Sequence, residues 1–136
     1  MVHHKDEIRE LHGRYNHLMD SFQAEAFASL FTTDGVWELV GVRTVRGRDE
    51  LVEFIEGLEA DTGERLRRHC VFNEVIQLDG DRASAQSYVL AWLGSPREPP
   101  QLFALGRYDD VLRRENDRWL FEHRRLDCDW LASRDA

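Results

Sequence analysis

Cysteine is scarce: Cys70 and Cys128 are the two thiols of a 136-residue chain. Two thiols make no disulfide framework and form no CxxC pair, so reduced cysteines and a cytoplasmic location are expected. Proline and glycine are also sparse, three and nine residues, which excludes collagen-like, mucin-like and low-complexity disordered chains. No apolar run approaches the roughly 20 residues of a membrane-spanning helix. Met1-Val2-His3-His4-Lys5-Asp6-Glu7 has no apolar stretch behind it, so no secretory signal is expected. Positive charge is in deficit, with 18 Lys and Arg against 26 Asp and Glu for a net charge of −8. Such a surface repels phosphate backbones and anionic lipids, so neither nucleic acid nor a membrane is an expected partner. His3, His4, His12, His17 and His123 show no metal-ligand spacing of the HExxH type, and there is no glycine-rich phosphate loop and no GxSxG elbow. The expectation is therefore a protein without metal or other cofactor.

What is present is one domain of 1–136 with clear periodicities. Ile8, Leu11, Tyr15, Leu18, Met19 and Phe22 make one apolar stripe at helical spacing. Glu25 to Phe31 repeats the habit, with Asp20 or Ser21 placed to cap that second helix. Thr32-Thr33-Asp34-Gly35 has turn chemistry. Val36 to Val40 is rich in strand formers, and Gly41 to Arg46 returns as a short hairpin partner. Asp49 is placed to cap a third helix carrying Leu51, Val52, Phe54, Ile55 and Leu58, which ends before Asp61-Thr62-Gly63. Arg68–Leu78 and Ala83–Leu93 flank Asp79-Gly80-Asp81, a hairpin signal. A loop follows from Gly94 to Pro100. Leu102–Arg113 and Trp119–Trp130 form a last hairpin around Glu115-Asn116-Asp117. Helices early and long antiparallel strands late predict an α+β fold, with a curved sheet wrapped around the helices.

This order resembles the nuclear transport factor 2-like superfamily and, within it, the SnoaL-like branch, over about residues 5–130. The resemblance is carried by Tyr15-x4-Asp20, by Leu30-Phe31-Thr32-Thr33-Asp34-Gly35-Val36-Trp37 and by Gly47-Arg48-Asp49-Glu50-Leu51. It continues in His69-x3-Asn73, Asp79-Gly80-Asp81-x-Ala83, Gly106-Arg107-Tyr108-x-Asp110, and Trp119-x4-Arg124 with Trp130. The motifs are most similar to scytalone dehydratase-like and hexachlorocyclohexane dehydrochlorinase-like members. The fold this implies is a cone, in which a curved, mostly antiparallel sheet and three helices from the N-terminal half enclose an apolar pocket. The superfamily shares the cavity and not one reaction, so site residues must decide the function.

The resemblance implies that His69 is a catalytic base and Asp20 its partner. A neutral imidazole accepts a proton near pH 7, and a carboxylate on its other nitrogen fixes the tautomer and raises its basicity. On a straight first helix Asp20 lies well off the apolar stripe, so capping the second helix is its competing role. Tyr15, on the stripe, is either a core aromatic or a donor to a substrate carbonyl. Arg124 and Arg125 face opposite sides of the last strand. The motif match favours Arg124 at the cavity wall, whereas strict alternation from Trp119 and Phe121 favours Arg125. Trp37, Asn73 and Tyr88 are candidate substrate contacts. Cys70 follows His69 directly, so alternation sends it to the opposite face and away from a nucleophile's role.

These residues imply a cofactor-independent lyase of the dehydratase type, or an isomerase. Its substrate would be small and hydrophobic, polyketide-, steroid- or aromatic-like. A polyketide cyclase of the SnoaL type and a non-catalytic hydrophobic-ligand-binding or dimerisation module are the alternatives. The resemblance also implies a homodimer or higher homo-oligomer, paired through the outer face of the sheet.

Overall fold

The computed structural model describes residues 3–132; positions 1–2 and 133–136, the two ends of the expected domain, lie outside the described residues. Helix α1 (His4–Asp20) and the short α2 (Ala24–Ala28) lead into strand β1 (Phe31–Leu39), hairpin partner β2 (Arg43–Arg46) and α3 (Gly47–Thr62). Four long strands follow: β3 (Leu66–Asp79), β4 (Arg82–Ser95), β5 (Glu98–Glu115) and β6 (Arg118–Leu131). They form one six-stranded sheet in the order β2-β1-β6-β5-β4-β3. Neighbours are antiparallel except β1 and β6, which run parallel. This is the expected α+β architecture of an open sheet with three helices, all from the first half of the chain. No described helix is long and apolar enough to cross a membrane.

One face of the sheet carries the helices. Ala83, Ala85, Ser87, Val89 and Ala91 of β4 alternate inward and are buried. Helix α1 lies over this face chiefly against β3, with a lighter contact on β6. Tyr15 fills the centre, with its ring 5.0 Å from Phe27, 5.9 Å from Tyr108 and 5.6 Å from Phe121. Where the expected cone would hold a cavity, the space around Tyr15 is therefore occupied by packed aromatic rings. The other face is solvent-facing and carries exposed Val75, Tyr88, Leu105, Val111 and Trp130. Val75, Val111, Gln86, His123 and Arg125 line part of a groove of about 370 Å³ there.

Several boundaries differ from the periodicity reading. The second helix stops at Ala28, and Leu30 and Phe31 are buried at the entry to β1. Thr32 to Gly35 is not a free turn but part of β1. Its turn chemistry shows as an irregularity, since Phe31 pairs with Phe121 and the register resumes only at Val36 with His123. Gly35 is required there, because an added Cβ would lie 2.8 Å from the Phe31 Cβ and 3.1 Å from the Phe121 carbonyl oxygen. Helix α3 begins two residues before Asp49, at Gly47, and runs through Thr62. Asp49 therefore sits in the first turn, where an acidic side chain suits the helix dipole. Glu50 accepts from the Arg46 N–H, which lies outside the helix start. The Gly94–Pro100 loop is shorter than expected, because β4 extends to Ser95 and β5 starts at Glu98.

Candidate functional site

Asp20 is the last residue of α1, and the chain turns sharply after it. The Gln23 N–H donates to the Leu18 carbonyl and the Phe22 N–H to the Met19 carbonyl. Phe22 takes φ of +56°. Together these make a Schellman ending with a non-glycine residue in the left-handed position. Asp20 therefore does not cap α2, whose N-cap is Gln23. It lies one turn beyond Asn16, on the edge of the helix's buried face, and reaches the first residues of β3.

There Asp20 meets His69 twice. Its Oδ1 lies 2.6 Å from His69 Nδ1, and its Oδ2 accepts the His69 backbone N–H at 3.0 Å. Both side chains keep about 10% exposure, so the pair sits at a rim and is not sealed. A carboxylate accepts only, so Nδ1 carries the proton and Nε2 is left as the basic nitrogen. Phe103 stands edge-on to the imidazole with ring centroids 6.0 Å apart, and the Arg67 guanidinium covers Phe103. Cys70 faces the opposite side and is exposed.

Tyr15 and Trp37 are bonded to each other, with the Trp37 indole N–H donating to the Tyr15 hydroxyl at 2.8 Å. Burial, reinforced by neighbouring Tyr108, holds the Tyr15 phenol well above its ordinary value. Tyr15 therefore remains protonated and can donate a hydrogen bond but does not serve as a base. Trp37 also packs on Phe54, ring centroids 4.4 Å apart.

The choice between the two arginines is settled by a β-bulge. Leu112 pairs with Phe121 and Val111 with His123, which leaves Glu122 as an extra residue on β6. The extra residue shifts the alternation by one, so Phe121 and Arg124 both point inward. Arg124 is fully buried, its guanidinium carbon 3.4 Å from the Tyr108 ring centroid and 4.2 Å from that of Tyr15. Arg125 lies on the outer face near Glu38. Strict alternation from Trp119 and Phe121, which favoured Arg125, fails at Glu122.

Asn73 and Tyr88 are not brought to the inner face. Phe72 pairs with Tyr88 and Val75 with Gln86, so Asn73 and Glu74 together oppose Ser87 in a second bulge. Asn73 holds φ of +55° and is exposed. Tyr88 is on the outer face, 47% exposed and packed on Phe72. The bulge instead aims Glu74 inward.

Glu74 leads to a cluster that the periodicity reading missed. His12, on α1, is fully buried and bonds Glu74 through Nδ1. Its Nε2 lies 3.3 Å from Asp110 Oδ2, and Asp110 Oδ1 lies 3.2 Å from Arg124 Nε. Both are ion-pair distances, but neither is aligned as a hydrogen bond. Hydrogen bonding from His12 holds the Glu74 carboxyl below its usual value, against the opposing effect of burial. The signal for this cluster was a polar residue, His12, set on the apolar stripe. Among the described residues no cluster of His, Cys, Asp and Glu is arranged to hold a metal ion.

The sequence profile of the SnoaL-like domain matches residues 1–125. This chain belongs to the SnoaL-like family. Among solved structures, this SnoaL-like protein is similar to a single-substitution variant of Rv3472 from Mycobacterium tuberculosis, of unknown function. The two are 28% identical over 90% of this chain and 70% of the other, with a TM-score of 0.82. It is also similar to an NTF2-like protein with a cystatin-like fold from Novosphingobium aromaticivorans, at 25% identity over 91% and 80% of the two chains and a TM-score of 0.80. A protein provisionally named a scytalone dehydratase, from the same organism, matches at 25% identity over 92% and 83%, with a TM-score of 0.80. No curated protein matches the sequence significantly. The SnoaL-like assignment agrees with the motifs on which the resemblance rested, and it fixes the fold without fixing a reaction.

Proposed function

We propose that this protein is a cofactor-independent lyase of the dehydratase type, or an isomerase, acting on a small hydrophobic polyketide-, steroid- or aromatic-like substrate. The observation that carries the reading is the doubly bonded Asp20–His69 pair. His69 Nε2 takes a proton from a carbon next to a carbonyl, and the electron pair moves into an enolate. Asp20 stabilises the imidazolium that forms and holds the ring against rotation. In elimination the enolate re-forms its carbonyl, a carbon–carbon double bond forms, and hydroxide leaves and takes up the proton as water. In isomerisation the proton returns at another carbon. Arg124 and Tyr15 are fully buried among packed aromatic rings, so the positive charge of Arg124 acts on the developing oxyanion at range and not by direct contact with substrate.

A cyclase would use the same base on a substrate that can close a ring. A carrier has no need of a tightly held acid–base pair, so the 2.6 Å contact favours catalysis. The exposed Val75, Tyr88, Leu105, Val111 and Trp130 support pairing of two copies through the outer face. We place the protein in the cytoplasm on the expectation of reduced cysteines.

The test is a panel of β-hydroxyketones on polyketide, steroid and simple aromatic skeletons, followed by absorbance of the conjugated product. Turnover by the unaltered protein and its loss in both His69→Ala and Asp20→Asn supports the reading. Undiminished turnover in His69→Ala removes it.

A further inference from the structure

Helix α1 and strand β3 are joined by two histidine–carboxylate contacts of opposite polarity. At one, the helix supplies Asp20 and the strand His69; at the other, the helix supplies His12 and the strand Glu74. The second is unlike the first in a decisive respect. His69 has a carboxylate on one ring nitrogen, whereas His12 has one on each, Glu74 at Nδ1 and Asp110 at Nε2. Glu74 is hydrogen-bonded at Nδ1, so that nitrogen carries a proton. Asp110 faces Nε2 at ion-pair distance without an aligned hydrogen bond, so the second proton follows from charge.

Charge counting supplies that second proton. The cluster holds two carboxylates, Glu74 and Asp110, and one permanent cation, Arg124. With a neutral His12 it carries one uncompensated negative charge, shared between fully buried Asp110 and part-exposed Glu74, which is unfavourable. With a doubly protonated His12 it is balanced. The remaining neighbours do not change the sum. Phe121 stacks on the imidazole with ring planes 5° apart, and Tyr108 and Tyr15 are uncharged phenols against Arg124. Arg9, outside the cluster, acts on Glu74 only at longer range.

We propose that His12 is a doubly protonated positioning residue that serves as the counter-cation of Asp110, leaving the charge of Arg124 available on its Tyr15–Tyr108 side. Asp110 stands between two cations, 3.3 Å from one and 3.2 Å from the other, so it is not the private partner of Arg124. The terminal guanidinium nitrogens of Arg124 have no aligned acceptor among the described residues. They lie against aromatic faces, which leave a cation's charge uncancelled. The inference stands on the His12 cluster alone and holds whether or not Asp20 and His69 are catalytic.

The unaltered protein supplies the first test. Nitrogen-15 spectra of the folded chain at pH 7, with ring signals assigned to His12, are expected to show both ring nitrogens protonated. A bare, unprotonated ring nitrogen on His12 overturns the proposal, because His12 is then uncharged and cannot be a counter-cation. Charge-restoring variants supply the second. His12→Gln alone is expected to lower Tm by roughly 10 °C, since it strands a buried carboxylate. Adding Glu74→Gln restores the charge balance and is expected to recover at least half of that loss. A double variant no more stable than His12→Gln shows that His12 contributes shape and not charge, and overturns the proposal. If the single variant does not fold, the nitrogen-15 experiment decides by itself.

Discussion

Asp20 commits both carboxylate oxygens to a single residue, His69: one to ring Nδ1 at 2.6 Å, the other to the backbone N–H at 3.0 Å. The arrangement fixes the position of the imidazole along β3 as well as its tautomer. It is also placed against the electrostatics of the helix. A carboxylate in the last turn of α1 faces the negative end of the helix dipole, a location that normally favours cations. The interaction with His69 offsets that disadvantage.

Asp20→Asn therefore separates function from stability. The amide can no longer enforce the Nδ1–H tautomer, and turnover of an identified substrate is expected to fall on the order of 10³-fold or more. Stability is expected to change by about 1 kcal/mol or less, because relief of the dipole conflict partly compensates for the weakened hydrogen bonds. Parallel denaturant titration and turnover measurements check both halves. A loss of fold matching the loss of activity would count against the separation.

Arg124→Met is expected to destabilise the chain by about 3–5 kcal/mol, since it leaves Asp110 buried without its guanidinium partner. Arg124→Met combined with Asp110→Asn is expected to be milder than the single variant. Urea unfolding midpoints at a common slope report the difference.

Two glycines make an opposed pair. Gly35→Ala forces a methyl group into the 2.8 Å space beside Phe31 and is expected to cost about 1–3 kcal/mol. Gly57 lies inside α3 with nothing within 4 Å of an added Cβ. Gly57→Ala is therefore expected to stabilise by about 0.5–1 kcal/mol. Thermal melts of the two variants should move in opposite directions.

Glu74 contributes an acid-sensitive component of stability. His12 holds its carboxyl below the ordinary value of 4.5 in the folded chain. The unfolded chain therefore takes up the proton first as pH falls. The stabilisation is fully present above about pH 4.5 and is lost as pH drops through the lower folded value. Melts recorded from pH 6 to pH 3 are expected to show a steeper decline for the unaltered chain than for Glu74→Gln. Equal slopes would show that Glu74 titrates alike in both states.

The alkaline side has the opposite sign. Burial holds Tyr15 and Tyr108 above their ordinary value of 10.0 in the folded chain. Unfolding releases their protons first, so stability is expected to fall as pH rises past about 10. Tyrosinate absorbance followed together with circular dichroism checks this. Ionisation of these two residues without unfolding would contradict it.

The sequence by itself determined the order of elements and the residues of the Asp20–His69 pair. Periodic apolar positions and turn chemistry at Asp79-Gly80-Asp81 and Glu115-Asn116-Asp117 are local properties, carried by backbone sterics and by burial of one face. The family motifs supplied the pairing that periodicity alone placed off the helix's stripe. Tertiary structure decided which face each side chain took. Extra residues at Asn73–Glu74 and at Glu122 reset the two-residue alternation, turning Glu74 and Arg124 inward and leaving Asn73 and Arg125 outside. No count along one strand reveals such a shift, because a bulge is defined by the partner strand. Packing likewise rotated the buried face of α1 toward His12 and Asn16, two polar residues that an apolar stripe omits. The burial of His12 becomes tolerable only when Glu74, Asp110 and Arg124 arrive from distant strands to balance charge, and that meeting exists only in the folded chain.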